Sequence, residues 1–148
     1  MSPVLETAQA KDAQEVGLIL HSWLQNTQWV PKLYTRVETI GFADSMIARG
    51  WVTVARKHNV AGFLARDAGF VHALYLSDEM RGQGIGRALI ARAKAEEEML
   101  TLWTFLANTD ARQFYLREGF QEVTRTDGSG NDEKLPDICY QWRTNGET

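Results

Sequence analysis

Disulfide frameworks, metal clusters and membrane spans have almost nothing to build on in this sequence. Its 148 residues include one cysteine, Cys139, so no intramolecular disulfide can form, and three scattered histidines offer no metal-ligand spacing. Both absences fit a reducing cytoplasm and a site without metal. No run reaches the roughly eighteen consecutive apolar residues of a membrane span, and Met1-Ser2-Pro3-Val4-Leu5-Glu6 lacks the basic start and apolar stretch of a secretory leader. The expectation is a chain that neither crosses a membrane nor is exported by that route. Excess basic charge is missing too: the formal net charge is -3, which gives no broad attraction to nucleic acid or an anionic membrane. A small partner is expected ahead of a polymeric one. There is no internal repeat, low-complexity tract or linker, and 44% hydrophobic with 24% charged residues suits one compact domain over residues 1–148.

What the sequence does contain is a sequence of changing periods. From Asp12 to Gln25 the apolar residues Ala13, Val16, Leu20, Trp23 and Leu24 recur at three- and four-residue steps, which predicts a helix. A second helix is expected from Thr35 to Arg49, stopped by Gly50. Short β-type segments follow at 51–55, 60–65 and 70–76, divided by turn residues so close together that the strands must be antiparallel neighbours. Arg87 to Glu98 is rich in strong helix formers, and Leu100 to Leu106 returns to a strand, which the intervening helix allows to run parallel to the one ending at Leu76. A fourth helix is predicted with Thr109 as N-cap and Gly119 just beyond its end, followed by strands at 120–124 and 138–142.

Between the strand ending at Leu76 and the third helix lies Arg81-Gly82-Gln83-Gly84-Ile85-Gly86-Arg87. Three alternate glycines remove Cβ atoms where a strand turns into a helix, so backbone N–H groups can approach an anion, aided by the helix dipole and by Arg81 and Arg87. The plainer reading is a tight turn and nothing more. The spacing excludes the familiar nucleotide loops. Gly-x-Gly-x-x-Gly would need glycine where Arg87 or Leu89 stands, and the Gly-Lys-Ser/Thr of a P-loop is absent.

Arg81-x-x-Gly84-x-Gly86, following Ala73-Leu74-Tyr75-Leu76 and leading into a helix, resembles the central motif of the GNAT superfamily of N-acetyltransferases. Asn108-x-x-Ala111-x-x-Phe114-Tyr115-x-x-x-Gly119-Phe120 resembles a second GNAT pattern. The resemblance is strongest from about Val60 to Phe120 and weakest after Thr126. It implies an α+β, layered α/β/α GNAT fold. The mixed, mostly antiparallel sheet would have about six to seven strands, about four helices and one parallel pair, between the strands ending near Leu76 and Leu106. It further implies one N-acetyltransferase domain over 1–148, acetyl-CoA as acyl donor without a metal, and a small-molecule or peptide amine as acceptor, with a homodimer allowed.

By that resemblance Gly82, Gln83, Gly84, Ile85 and Gly86, with Arg81 and Arg87, hold the CoA pyrophosphate, Leu74, Tyr75 and Leu76 pair with the pantetheine arm, and Asn108 contacts the cofactor. Tyr115 then sits near the sulfur, where a phenol of pKa about 10 can protonate the departing thiolate. Capping amide and core aromatic are the plain alternatives for Asn108 and Tyr115. An amine protonated at neutral pH also needs a base. His72 and Glu79 are the two candidates, against readings as a core histidine and a solvated loop carboxylate.

Cys139, in an apolar strand with no His beside it in sequence, makes a covalent acetyl-enzyme the lesser route. Glu96-Glu97-Glu98 reads as a solvated helix end. The family's acceptor pocket corresponds to Trp23–Tyr34 and Asp127–Asp137, where Trp29 and Tyr34 can enclose an amine or simply cover the core. Two other classes stay open: an acyl-CoA sensor of the same fold, and a nucleotide-binding, kinase-like enzyme, which ATP and not CoA would protect against unfolding.

Overall fold

The computed structural model describes residues 3–144. Four helices form where apolar period, helix-forming composition and caps predict them: α1 (Ala13–Asn26), α2 (Arg36–Ala48), α3 (Ile85–Glu96) and α4 (Thr109–Arg117). A short 3-10 turn, Ala10–Asp12, leads into α1. There the Asp12 carboxylate, 2% exposed, accepts the Gln9 N–H at 2.9 Å and the Arg56 guanidinium at 3.1 Å. A capping box starts α2: Thr35 Oγ1 accepts the Glu38 N–H at 3.1 Å while Glu38 Oε1 accepts the Thr35 N–H at 2.9 Å. For α4 the cap is Asn108 and not Thr109, since Asn108 Oδ1 accepts the Ala111 N–H at 3.3 Å. Both residues are good N-caps, and the strand's end sets which one occupies the position.

Seven strands, β1 (Val4–Thr7), β2 (Val52–Lys57), β3 (Asn59–Asp67), β4 (Phe70–Leu76), β5 (Met99–Phe105), β6 (Gln121–Thr126) and β7 (Asp137–Arg143), form one sheet in the order β1-β2-β3-β4-β5-β7-β6. The β2-β3-β4 meander and the parallel β4-β5 pair are the ones the sequence predicts. The sequence reading passes over β1, whose four residues are too few to show a period and are mostly exposed; its backbone pairing with β2 from Val4 to Thr7 creates it. The last strand, β7, inserts between β5 and β6, leaving β6 as an edge.

One face of the sheet packs on α1 and α2 through Val16, Ile19, Ala43, Ile47, Val54 and Phe63. The other packs on α3 and α4 through Leu64, Ile85, Leu89, Ile90, Tyr115 and Tyr140. This is the α/β/α layering that the resemblance implies, mostly antiparallel with one parallel pair.

Two irregularities of β4 position the site. Ala65 pairs with Ala73 but Arg66 with Val71, so His72 is an unpaired bulge and side-chain parity flips there. The alternation that would align Phe70 and His72 with Leu74 and Leu76 therefore fails. Val71, not Phe70, shares their face. Secondly, β4 and β5 pair only at Phe70↔Thr101 and Val71↔Leu102 and part beyond that point. Because the Ser77 N–H donates to Ala61 C=O at 2.9 Å, strand alternation turns the backbone groups of Leu74 and Leu76 away from β3 and into the gap.

Candidate active site

The gap opens into a cleft of about 670 Å³ lined by Leu74, Leu76, Gly86, Asn108 and Tyr115 on one side and Trp23, Trp29 and Tyr75 on the other. At its mouth the glycine loop has the backbone its composition demands. Gly82 and Gly84 lie at φ +76° and +79°, where a side chain would be strained, and no protein atom lies within 4 Å of where a Cβ would stand. Ala88 N–H to Gly84 C=O, at 3.0 Å, is the first bond of α3. Among the described residues no backbone N–H from Gly82 to Arg87 has an acceptor, so a row of amides at a helix N-terminus is left for an anion.

The flanking cations are accessible. Arg81 is 3.4 Å from Asp78 with both side chains over half exposed, and Arg87, 79% exposed, lies 3.8 Å from Glu118. Such surface pairs are weak and can exchange for phosphate. The Gln83 side chain fastens the loop: its Nε2 donates to Glu79 C=O at 3.2 Å and its Oε1 accepts from Lys57 Nζ at 2.9 Å. Lys57 is a contact the sequence reading missed, because nothing local links the β2-β3 turn to the loop.

Deeper in, Tyr115 is 7% exposed, with ring centroids 5.2 Å from Phe114, 5.4 Å from Phe120 and 6.2 Å from Tyr140. Burial first, and then the nearby Tyr75, push its phenol above the usual range, so it holds its proton at neutral pH. It is therefore present as the neutral phenol, a donor and not a base, though burial makes it a weaker acid than a free tyrosine. The Tyr34 and Tyr140 hydroxyls have bonding partners, whereas those of Tyr75 and Tyr115 have none among the described residues. Asn108 lines the cleft while it caps α4.

The two base candidates lie away from this cleft. His72 is exposed and stacks on Trp51 at 4.5 Å with Phe70 edge-on at 4.7 Å. Partial burial lowers its pKa. Glu79 sits exposed in the 3-10 turn Asp78–Met80. Glu96 and Glu97 are not a free acidic end, since Arg66 binds them at 2.6 and 2.9 Å. Cys139 is buried, and that burial, with the Asp137 charge, raises its thiol pKa.

Trp29 lines the cleft and also packs 5.9 Å from Trp23 and 5.7 Å from Phe105, so it serves as both wall and core. Tyr34 does not line it; its ring meets Phe42 at 5.0 Å and its hydroxyl donates to Asp132 Oδ2 at 3.1 Å. Trp23 and the Tyr75 ring complete the wall. Tyr75's odd position between Leu74 and Leu76 was the available signal that its side chain faces α1.

Sheet, gap and loop together leave an open strand edge that runs from the unpaired loop amides into the cleft. The chain belongs to the GNAT acetyltransferases: the family's acetyltransferase (GNAT) domain matches residues 37–122, more than half its length. It is 32% identical over 92 residues to the peptidyl-lysine N-acetyltransferase YjaB of Salmonella typhimurium, covering 61% of this chain and 63% of that protein. The match thus spans less than two thirds of the relative's length. The solution structure of apo YjaB from Escherichia coli superposes with TM-score 0.81 at 21% identity, covering 96% of this chain and 98% of that one. The yncA protein of Salmonella typhimurium, solved with its cofactor acetyl-CoA, superposes with TM-score 0.74 at 16% identity, covering 100% and 97%. At these identities the structural likeness speaks for the fold. Among the described residues no helix is long and apolar enough to cross a membrane.

Proposed function

We propose that this chain is an acetyl-CoA-dependent N-acetyltransferase acting as one domain in the cytoplasm. It moves acetyl to a primary amine by direct attack in a ternary complex. The observation that carries this reading is the gap between β4 and β5, which has unpaired loop amides at its mouth and, within, a largely buried Tyr115 whose partner-free hydroxyl is left to the cleft. The amides of Gly82 to Arg87, with Arg81 and Arg87, suit a pyrophosphate, and the edges of Leu74 and Leu76 suit the amide groups of a pantetheine arm. The relative named a peptidyl-lysine N-acetyltransferase favours a lysine side chain of a peptide as the acceptor over a small-molecule amine.

The neutral amine attacks the thioester carbon, forming the C–N bond and a tetrahedral oxyanion, which the N–H of Leu76 in the gap can meet. As the C–S bond breaks, its electron pair leaves on sulfur and the Tyr115 phenol supplies the proton, while the attacking nitrogen sheds its surplus proton to solvent and Tyr115 is reprotonated. The test is release of CoA with lysine-containing peptides. Tyr115→Phe should slow it by about 10²- to 10⁴-fold, with acetyl-CoA affinity unchanged by calorimetry. An unchanged rate would remove Tyr115 as the acid. Binding of acetyl-CoA without turnover of any amine would leave a non-catalytic acyl-CoA-binding protein.

A further inference from the structure

Helix α3 starts at the glycine loop and carries Lys94 in its last turn. A lysine on a helix surface ordinarily reaches into water, yet the Lys94 side chain is only 22% exposed. Its ammonium ends on the neighbouring helix: Lys94 Nζ donates to the C=O of Glu118, the residue that closes α4, and lies 3.9 Å from Glu118 Oε1. It also stands 5.2 Å from the ring centroid of Trp142 and 5.9 Å from that of Phe120. A cation there meets an orphan carbonyl, the negative end of the helix dipole and two aromatic faces together. The other oxygen of the same carboxylate, Glu118 Oε2, lies 3.8 Å from Arg87 Nε at the far end of α3. If Arg87 turns to a phosphate, Lys94 still holds Glu118.

Two routes lead from Lys94 to Tyr115. The Tyr115 C=O accepts the Glu118 N–H at 3.1 Å and the Phe120 N–H at 3.0 Å, so the backbone that Lys94 grips is bonded to the turn that bears the phenol. The Phe120 ring, beside the ammonium, lies 5.4 Å from the Tyr115 ring. Because the Tyr115 hydroxyl has no hydrogen-bond partner among the described residues, helix and ring packing alone set where it stands.

We propose that Lys94 is a positioning residue for Tyr115: by fastening the end of α4 to α3, it fixes the phenol relative to the glycine loop at the start of that same helix. The role rests on the reading of Tyr115 as the acid. Lys94 does not line the cleft, so it acts on alignment and not on binding.

A double-mutant cycle tests this, read as the single-turnover rate of CoA release from acetyl-CoA bound to the full chain, with the lysine-containing peptide that the wild type uses fastest. Lys94→Met keeps the stem over the two rings and removes the donor and its charge. It should slow release by about tenfold, while acetyl-CoA affinity by calorimetry stays within about twofold. In Tyr115→Phe, which has no phenolic proton to align, the same change should cost about twofold or less. Lys94→Gln, a neutral donor of shorter reach, goes through the same cycle with the same expected outcomes should Lys94→Met not fold. An unaltered rate overturns the proposal, and so does an equal loss with and without the Tyr115 hydroxyl, because a general loosening of the fold acts in both backgrounds. A slow Tyr115→Phe beside an unchanged Lys94→Met refutes this role and leaves the acid in place. A fast Tyr115→Phe refutes the acid, and no release by the wild type with any lysine peptide refutes the transferase reading; either takes this role with it.

Discussion

The wall proposed to face the donor is drawn from one continuous stretch, Leu74 to Arg87, together with the start and middle of α4. The wall proposed to face the acceptor takes Trp23 from α1, Trp29 from the segment after it and Tyr75 from the reverse of β4. The donor wall works chiefly through its backbone, by unpaired amides, two glycines at positive φ and a strand edge left open. The acceptor wall works through side chains that only tertiary packing brings together. Backbone chemistry needs a particular local order of residues and so leaves a motif, whereas a wall gathered from three segments leaves none.

The sharpest way to test this contrast is Gly84→Val. No protein atom is in reach of the new side chain, but φ +79° is costly for a β-branched residue, about 1–2 kcal/mol. The valine also occupies the space above the amides. Acetyl-CoA affinity should fall by about a hundredfold, read by calorimetry, with only a modest drop in melting temperature. Undiminished affinity would mean that the loop is not the phosphate cradle.

The opposite wall should respond in the opposite way. Trp29→Ala should raise the amine KM by about tenfold and leave acetyl-CoA affinity unchanged. A loss of donor affinity instead would show that the two walls are not separable.

The smallest effect is expected at His72. Its burial against Trp51 lowers its folded pKa below 6.5, so the unfolded chain binds the proton more readily. Its contribution to stability is therefore present above pH 6.5 and lost as pH falls through the folded pKa. Denaturant titrations of wild type and His72→Phe should differ by a constant amount above that value and drift apart below it, the wild type losing more. The pH profile of acetyl transfer should be the same in both. A displaced acidic limb would return His72 to the role of base.

Much of the fold was legible before any coordinates. Helix period, the glycine-ended helices and the close-set turns of the meander are local signals, and they placed four helices and six of the seven strands. Three features were not. A strand as short as Val4–Thr7 has no period of its own. The insertion of β7 between β5 and β6 is a choice among edges that the sequence leaves equal. The bulge at His72 comes from a register with β3, and a single unpaired residue reversed which side chains share a face with Leu74. For the same reason His72 was a plausible base on paper and is a stacked surface ring in the fold.

The sequence by itself determined the loop proposed to hold the donor: which glycines can sit at positive φ, which spacing disfavours dinucleotide and P-loop binding, and which tyrosine follows on α4. Those are properties of a few consecutive residues and their allowed backbone angles. Tertiary structure alone decided the acceptor side. It parted β4 from β5, carried the Tyr75 ring to the cleft that Tyr115 lines, and brought Trp23 and Trp29 to the same opening from distant parts of the chain. Contacts between remote side chains follow from register and packing, which no local pattern specifies.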